Sequence, residues 1–220
     1  MNSTKAYLAL FDLDRTIFST NSGNILVREA YRHKLMSFKE FLKAIYLGIS
    51  YRLKIRDTMC ILNEMAEWMK GVSVDELQSL ADKIIEKYLI REIRPEIYQE
   101  IKMHQEKGAL VGILSAALPL ICHPIAKHLG LELVLCSEVG KANGKYTGEV
   151  SGKLCYGEQK LIQLEEYCET NKYDLKESWY YADSISDSPV LEVVGHPICV
   201  GPDRKLKKLA RREKWIITDW

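Results

Sequence analysis

Asp12 and Asp14 stand one leucine apart where the apolar run AYLALF, residues 6–11, breaks off. A second acidic pair, Asp183 and Asp187, follows the run SWYYA, while Ser115 closes the run ALVGILS and Lys160 lies between the two in sequence. Singly these are commonplace: an aspartate after a strand caps a turn or helix, and a lysine is a solvated surface residue. Jointly, each at the edge of an expected element, they describe a pocket. Carboxylates a few ångströms apart repel and push a pKa upward, a conflict that a divalent cation resolves. Oxygen ligands select a hard ion, and a site with only two or three protein ligands suits Mg²⁺ better than Ca²⁺. A lysine and a hydroxyl beside that ion add positive charge and donors for phosphoryl oxygens, next to a carboxylate able to attack phosphorus. The first pair therefore reads as a metal-assisted nucleophile with its acid/base partner.

The elements that must position these residues show as periodicities. Residues 6–11 form the short continuous apolar run expected of a central parallel strand covered on both faces. From about residue 22 to 92 the pattern is helical. Phe38, Phe41, Leu42, Ile45, Tyr46 and Ile49 make one stripe, and Ile55, Met59, Leu62, Met65 and Met69 a second. Leu77, Leu80, Ala81, Ile84 and Tyr88 make a third, after the capping-box-like SVDE at residues 73–76. The stripes are expected to be the core of a helical bundle. After Pro95, strands and helices alternate: a helix to about Lys107, the strand ALVGILS, a helix from Pro119 and the strand LELVL. NGKYTGEV carries an Asn143-Gly144 hairpin turn, and further helix–strand alternation runs to a closing helix and strand. This predicts a mostly parallel α/β core over 1–20 and 93–220, with helices on both faces and an all-helical insertion over 21–92. Ligands of such sheets bind beyond the carboxyl ends of the strands, where the acidic pairs and Ser115 fall.

The 31 basic and 30 acidic side chains leave a net charge of +1, without the global field that marks nucleic-acid binders. The basic stretch DRKLKKLARREK, residues 203–214, is expected to be a solvated helix face. Arg28, Arg32, Arg52, Lys54 and Arg56 read as exposed bundle charges, and His123, His128 and His196 as structural. The six cysteines follow neither metal-ligand spacing nor a disulfide framework and are expected to be reduced core thiols. MNSTKAYLAL lacks the grammar of a signal peptide, and the longest apolar stretch is too short to span a bilayer. A cytoplasmic protein with no membrane insertion is expected.

The motifs together resemble those of the haloacid dehalogenase superfamily. FDLDRT resembles its hhhDxDxT first motif, ILSAA the second with Ser115, Lys160 the third and ADSISD the fourth. The helical insertion resembles the small cap of the phosphoserine-phosphatase-like branch, subfamily IB, whose core is Rossmann-like. The resemblance implies that Asp12 attacks the phosphate of a small phosphorylated metabolite to form an aspartyl-phosphate. Asp14 would protonate the leaving group and then activate water. Mg²⁺ would be held by the Asp12 carboxylate, the Asp14 carbonyl and Asp183, with Asp187 a ligand through water or an orienting residue. Ser115, with Ala116 beside it, and Lys160 would hold phosphoryl oxygens, and Thr16 would brace the loop or meet the nucleophile.

Departures from that pattern bear on substrate. Phosphoserine phosphatases carry a glutamate nine residues after the nucleophile, where this chain has Asn21. Their cap arginine has no counterpart in NEMAEWM, and Ala116 and Ala117 replace a glycine pair. Phosphoserine is not the expected substrate, though a phosphoserine phosphatase or a phosphotransferase is an alternative among enzymes. From another class, a phospho-acceptor signalling module would also combine an acceptor aspartate, a hydroxyl and a lysine, but would not need Asp14.

Overall fold

The computed structural model describes residues 7–53, 58–152 and 154–220. The side chains of Arg52 and Met59, and all of Lys54, Ile55 and Arg56, lie outside what is described. Six parallel strands form the central sheet: β1 (Leu8–Phe11), β2 (Leu110–Ser115), β3 (Leu133–Cys136), β6 (Trp179–Ala182), β7 (His196–Val200) and β8 (Ile216–Thr218), in the order β3-β2-β1-β6-β7-β8. A separate antiparallel hairpin joins β4 (Val139–Ala142) to β5 (Lys145–Val150). Its Asn143-Gly144 turn has φ of 51° and 73°, the left-handed pair that two-residue hairpin turns require.

Strand alternation sorts the sheet's side chains into two cores. Ala9, Phe11, Val111, Ile113 and Tyr181 pack under α5 (Pro95–Glu106), α6 (Pro119–Leu129) and the helical insertion. Leu8, Leu10, Leu114, Tyr180 and Ala182 pack under α7 (Glu158–Asn171), α8 (Ser188–Val193) and α9 (Arg204–Glu213). Gly112 sits where β2 and β3 touch: a Cβ there would lie 2.6 Å from the Leu133 Cβ and carbonyl oxygen. On α9, Leu206 and Ala210 turn inward, so the expected basic face is the solvated one.

Between β1 and α5 the chain forms α1 (Ser22–Arg32), α2 (Phe38–Leu53), α3 (Thr58–Ala66) and α4 (Val74–Ile84). Ser73 caps α4 by accepting from Glu76 N, and Leu77, Leu80, Ala81 and Ile84 are buried as expected. The α2 stripe is not. Phe38, Leu42, Ile45, Tyr46 and Ile49 are 43–60% exposed, whereas Leu47 is buried and Phe41 and Ala44 pack against the core. The helix carries apolar residues on two sides, and it packs against α1 and α3 on one of them. Backbone bonds tie the insertion to the hairpin: Gly71 N to Tyr146 O (2.9 Å), Tyr146 N to Val72 O (3.0 Å) and Val74 N to Gly144 O (3.0 Å).

None of the six cysteines takes part in a disulfide. Cys60 departs from the expected burial by being exposed, and Cys136 is half-buried. No helix of the described residues is long and apolar enough to cross a membrane.

Candidate active site

The strand order reverses direction between β1 and β6, and crevices at such switch points are where open parallel sheets bind ligands. Asp12 is the first residue past β1 and donates its backbone N–H to Tyr181 O on β6 at 2.9 Å. Asp183 is the first residue past β6, so the two carboxylates leave neighbouring strands at one edge. Both are buried. Burial, against the opposing charge of Lys160, pushes the Asp12 carboxyl up to about 7. Burial and then the Asp12 charge push Asp183 up to about 8. No described residue hydrogen-bonds the Asp183 carboxylate. A second tie fixes this loop: Asp203 donates its N–H to Asp183 O (2.8 Å), and its Oδ2 accepts from Ile185 N (3.0 Å).

After Asp12 the chain makes an irregular turn over 13–17 that redirects it from the sheet into the insertion. Arg15 takes a left-handed φ of 62°, a conformation that costs a non-glycine residue about 1 kcal/mol. The outgoing and returning segments are bonded together, Ser19 N to Glu92 O and Arg94 N to Ile17 O, both at 2.9 Å. Asp14 sits at the N-terminus of α1. Its Oδ1 accepts from Ser22 N at 2.8 Å and its Oδ2 from Asn21 Nδ2 at 3.0 Å. Burial raises its pKa against those Ser22 contacts. Asn21 also caps α1, its Oδ1 accepting from Asn24 N at 2.9 Å. Thr16 is fully buried, and its Oγ1 finds no hydrogen-bond partner among the described residues.

Lys160, in the first turn of α7, is 2% exposed and places its ammonium under the sheet edge. It donates to Asp12 Oδ1 at 3.1 Å, to Tyr180 Oη at 2.8 Å and, by a short contact, to Asp187 Oδ1. Burial alone would lower the pKa of this ammonium, but Asp12 and Asp187 outweigh it and hold the value well above lysine's ordinary one. Tyr180 Oη in turn donates to Asp187 Oδ1 at 2.7 Å. Asp187 therefore faces Lys160, the arrangement of an orienting residue. Ser115 ends β2 buried, its Oγ accepting from Ala117 N at 3.3 Å across Ala116.

The expected residues thus gather at one edge: Asp12, Asp183, Asp187 and Lys160 interact directly, with Ser115 two strands from β6 at the same end. Arg28 and Arg32 of the insertion are engaged by Glu29 Oε1, at 3.2 and 2.8 Å. Sequence reasoning missed Tyr180, Asp203 and the contact of Asn21 with Asp14. For Tyr180 a signal existed: a tyrosine in a central buried strand must find a partner for its hydroxyl.

The donor set fits a hard divalent cation. Two buried carboxylates raised by burial and like charge, one of them without a hydrogen-bonded partner among the described residues, are an electrostatic conflict such an ion would relieve.

This fold and site define a class of α/β hydrolases. Residues 9–192 match the haloacid dehalogenase-like hydrolase family, and the chain belongs to it. A probable phosphatase of Mycobacterium tuberculosis is 30% identical over 212 residues, which cover 95% of this chain and 74% of that protein. The solved structure of a Bordetella pertussis protein of unknown function superposes with a TM-score of 0.90 at 23% identity, covering 98% of this chain and 99% of the other. A phospho-aspartyl intermediate analogue of phosphoserine phosphatase gives a TM-score of 0.71 at 20% identity, over 97% of this chain and 92% of that one. At those identities the two structures establish the fold, while the family match and the mycobacterial relative mark the chain as a phosphatase of this family.

Proposed function

We propose that the chain is a Mg²⁺-dependent phosphomonoester hydrolase working through an aspartyl-phosphate on Asp12. The observation that carries this is the division of the Asp12 carboxylate: Oδ1 is held by Lys160, which leaves Oδ2 for phosphorus. Oδ2 forms a bond to phosphorus as the bond to the leaving oxygen breaks, and Asp14 gives that oxygen a proton. A half-buried carboxyl with a raised pKa can carry this proton. Asp14 then takes a proton from water, whose oxygen attacks the phosphoryl group and releases phosphate and free Asp12. Lys160 favours the charged form of Asp12 in a setting where burial disfavours charge. Ser115 Oγ and the backbone after it would hold phosphoryl oxygens. Asp12, Asp183 and the Asp14 carbonyl would hold the Mg²⁺, which supplies charge neutralisation for the phosphoryl oxygens.

Residues 21–92 act as a cap domain on a core of 1–20 and 93–220, supported by the paired linkers at 17–19 and 92–94. The substrate class is a small phosphorylated metabolite. Phosphoserine is disfavoured because Asn21, at the position of the phosphoserine-type glutamate, is already bonded to Asp14 and Asn24. Six cysteines outside disulfides support a reducing, cytoplasmic setting. Hydrolysis of p-nitrophenyl phosphate and a panel of phosphorylated metabolites, with Mg²⁺ and with EDTA, tests the reading. Mg²⁺-dependent release of phosphate is expected, and a protein inactive on every ester at saturating Mg²⁺ overturns it.

A further inference from the structure

We propose that Tyr180 is a positioning residue for this reaction: its hydroxyl tilts Lys160 away from Asp187 and onto the nucleophile Asp12. The inference rests on the phosphatase reading above and adds a residue that lies outside the acidic, serine and lysine motifs.

An ammonium has three protons, and Lys160 has three acceptors around it: Asp12 Oδ1, Asp187 Oδ1 and Tyr180 Oη. The two carboxylates compete for one charge, and Asp187 is the closer. Left alone, the ammonium would settle on Asp187 and loosen its hold on Asp12. Tyr180 counters this twice. It accepts one ammonium proton at 2.8 Å, and it donates its own proton to Asp187 Oδ1 at 2.7 Å. A carboxylate oxygen already accepting a phenol proton is a weaker partner for the ammonium, so a larger share of the Lys160 charge falls on Asp12. Tyr180 is fully buried and its hydroxyl also lies 3.4 Å from Leu114 O, next to Ser115. It therefore touches β2, α7 and the 185–187 turn from its seat on β6, and has no room to drift.

Tyr181 supplies a matched control. It is the next residue on the same strand, faces the other core, and its hydroxyl bonds Glu100 and His104, remote from Lys160. Tyr180→Phe and Tyr181→Phe delete the same atom on opposite faces of one strand.

The test is steady-state and single-turnover hydrolysis of p-nitrophenyl phosphate with Mg²⁺ by wild type, both variants, Asp187→Asn and the Asp187→Asn/Tyr180→Phe double variant. A hydrogen bond to a charged group is worth enough that Tyr180→Phe is expected to lower kcat about 10- to 100-fold with KM within about threefold. Tyr181→Phe is expected to keep kcat within about twofold while lowering the melting temperature. Because Tyr180 offsets Asp187, adding Tyr180→Phe to Asp187→Asn is expected to cost much less than adding it to wild type. Single-turnover rate constants do not depend on how much of a sample is folded, so a partly folded Tyr180→Phe still decides. The inference is overturned if Tyr180→Phe keeps the wild-type rate constant and loses only amplitude, or if its loss is undiminished beside Asp187→Asn. An inactive wild type would instead overturn the phosphatase reading itself.

Discussion

Tyr180 and Tyr181 are neighbours on one strand, yet they end two buried polar networks of opposite character. On one face Tyr181 donates to Glu100 at 2.6 Å and accepts from His104 Nε2 at 3.0 Å, while His104 Nδ1 meets the Tyr7 hydroxyl at 2.9 Å. Phe11 stacks on Tyr181 at 4.3 Å and Trp179 meets the His104 ring edge-on at 5.0 Å. Both His104 nitrogens and the Tyr7 and Tyr181 hydroxyls have partners, and burial keeps the imidazole neutral by lowering its pKa to about 4. On the other face Tyr180 joins Lys160, Asp12 and Asp187, with Asp183 beside them, a carboxyl whose ionisation burial opposes. The first network is what a protein builds for stability. The second holds charges that the fold alone does not need, which marks it as the place where stability has been given up for chemistry.

The largest effect that would sharpen this contrast is on rate. Asp12→Asn keeps the size of the side chain but removes the attacking charge, and Mg²⁺-dependent hydrolysis should fall by about 10⁴-fold or more. Its circular dichroism spectrum and melting temperature should stay close to wild type, since the ionised group it replaces is one that burial disfavours. Wild-type-like turnover would remove Asp12 from its role.

The next effect is on stability and belongs to the other face. Unfolded, His104 titrates near 6.5, and folded near 4, so between those values the unfolded chain binds the proton that the native one refuses. The contribution is present above pH 6.5 and is lost as the pH falls toward 4. A difference of that size corresponds to about 3 kcal/mol, read as the change His104→Phe makes in the difference between urea-unfolding free energies at pH 7 and pH 4, because Asp12 and Asp183, raised to about 7 and about 8, contribute with the opposite sign in both chains. His104→Phe should remove that contribution without changing kcat, and an unchanged pH dependence would separate His104 from the acid sensitivity.

A somewhat smaller effect returns to the site. Mg²⁺ at about a hundred times its dissociation constant should stabilise the native chain by about 2.7 kcal/mol, with EDTA reversing the shift. Asp183→Asn should abolish the shift, and a shift that persists in that variant would place the ion elsewhere. The smallest effect concerns specificity. Asn21→Glu restores the phosphoserine-type side chain but not the cap arginine, so phosphoserine hydrolysis should stay near background; a large gain would show the pocket to be closer to that substrate than Arg28 and Arg32, bound to Glu29, indicate.

Strand ends were readable from the sequence because a strand's apolar run and the charged residue that ends it are adjacent, as at Phe11–Asp12 and Ala182–Asp183. The Asn143-Gly144 turn and the Ser73 cap were readable for the same local reason. What was lost depends on distant partners. Periodicity picks out a face of α2 but not what covers it, so Leu42 and Ile49 pass for core. Tyr180 meets Lys160 from twenty residues away in sequence, and nothing near either residue announces the pairing. Asp203 looks like an ordinary cap of α9, which it is, while its other oxygen fixes the loop that presents Asp183.

The central claim, that Asp12 carries the phosphoryl group between two half-reactions, can be tested on the covalent intermediate. The chain is mixed with a ³²P-labelled phosphomonoester that it hydrolyses and Mg²⁺, quenched in acid within a single turnover, and digested for mass spectrometry. A hydroxylamine-labile label on the peptide containing Asp12, missing from Asp12→Asn, is the expected result. Label on Ser115 or another residue, or full turnover with none trapped at any time point, would contradict it.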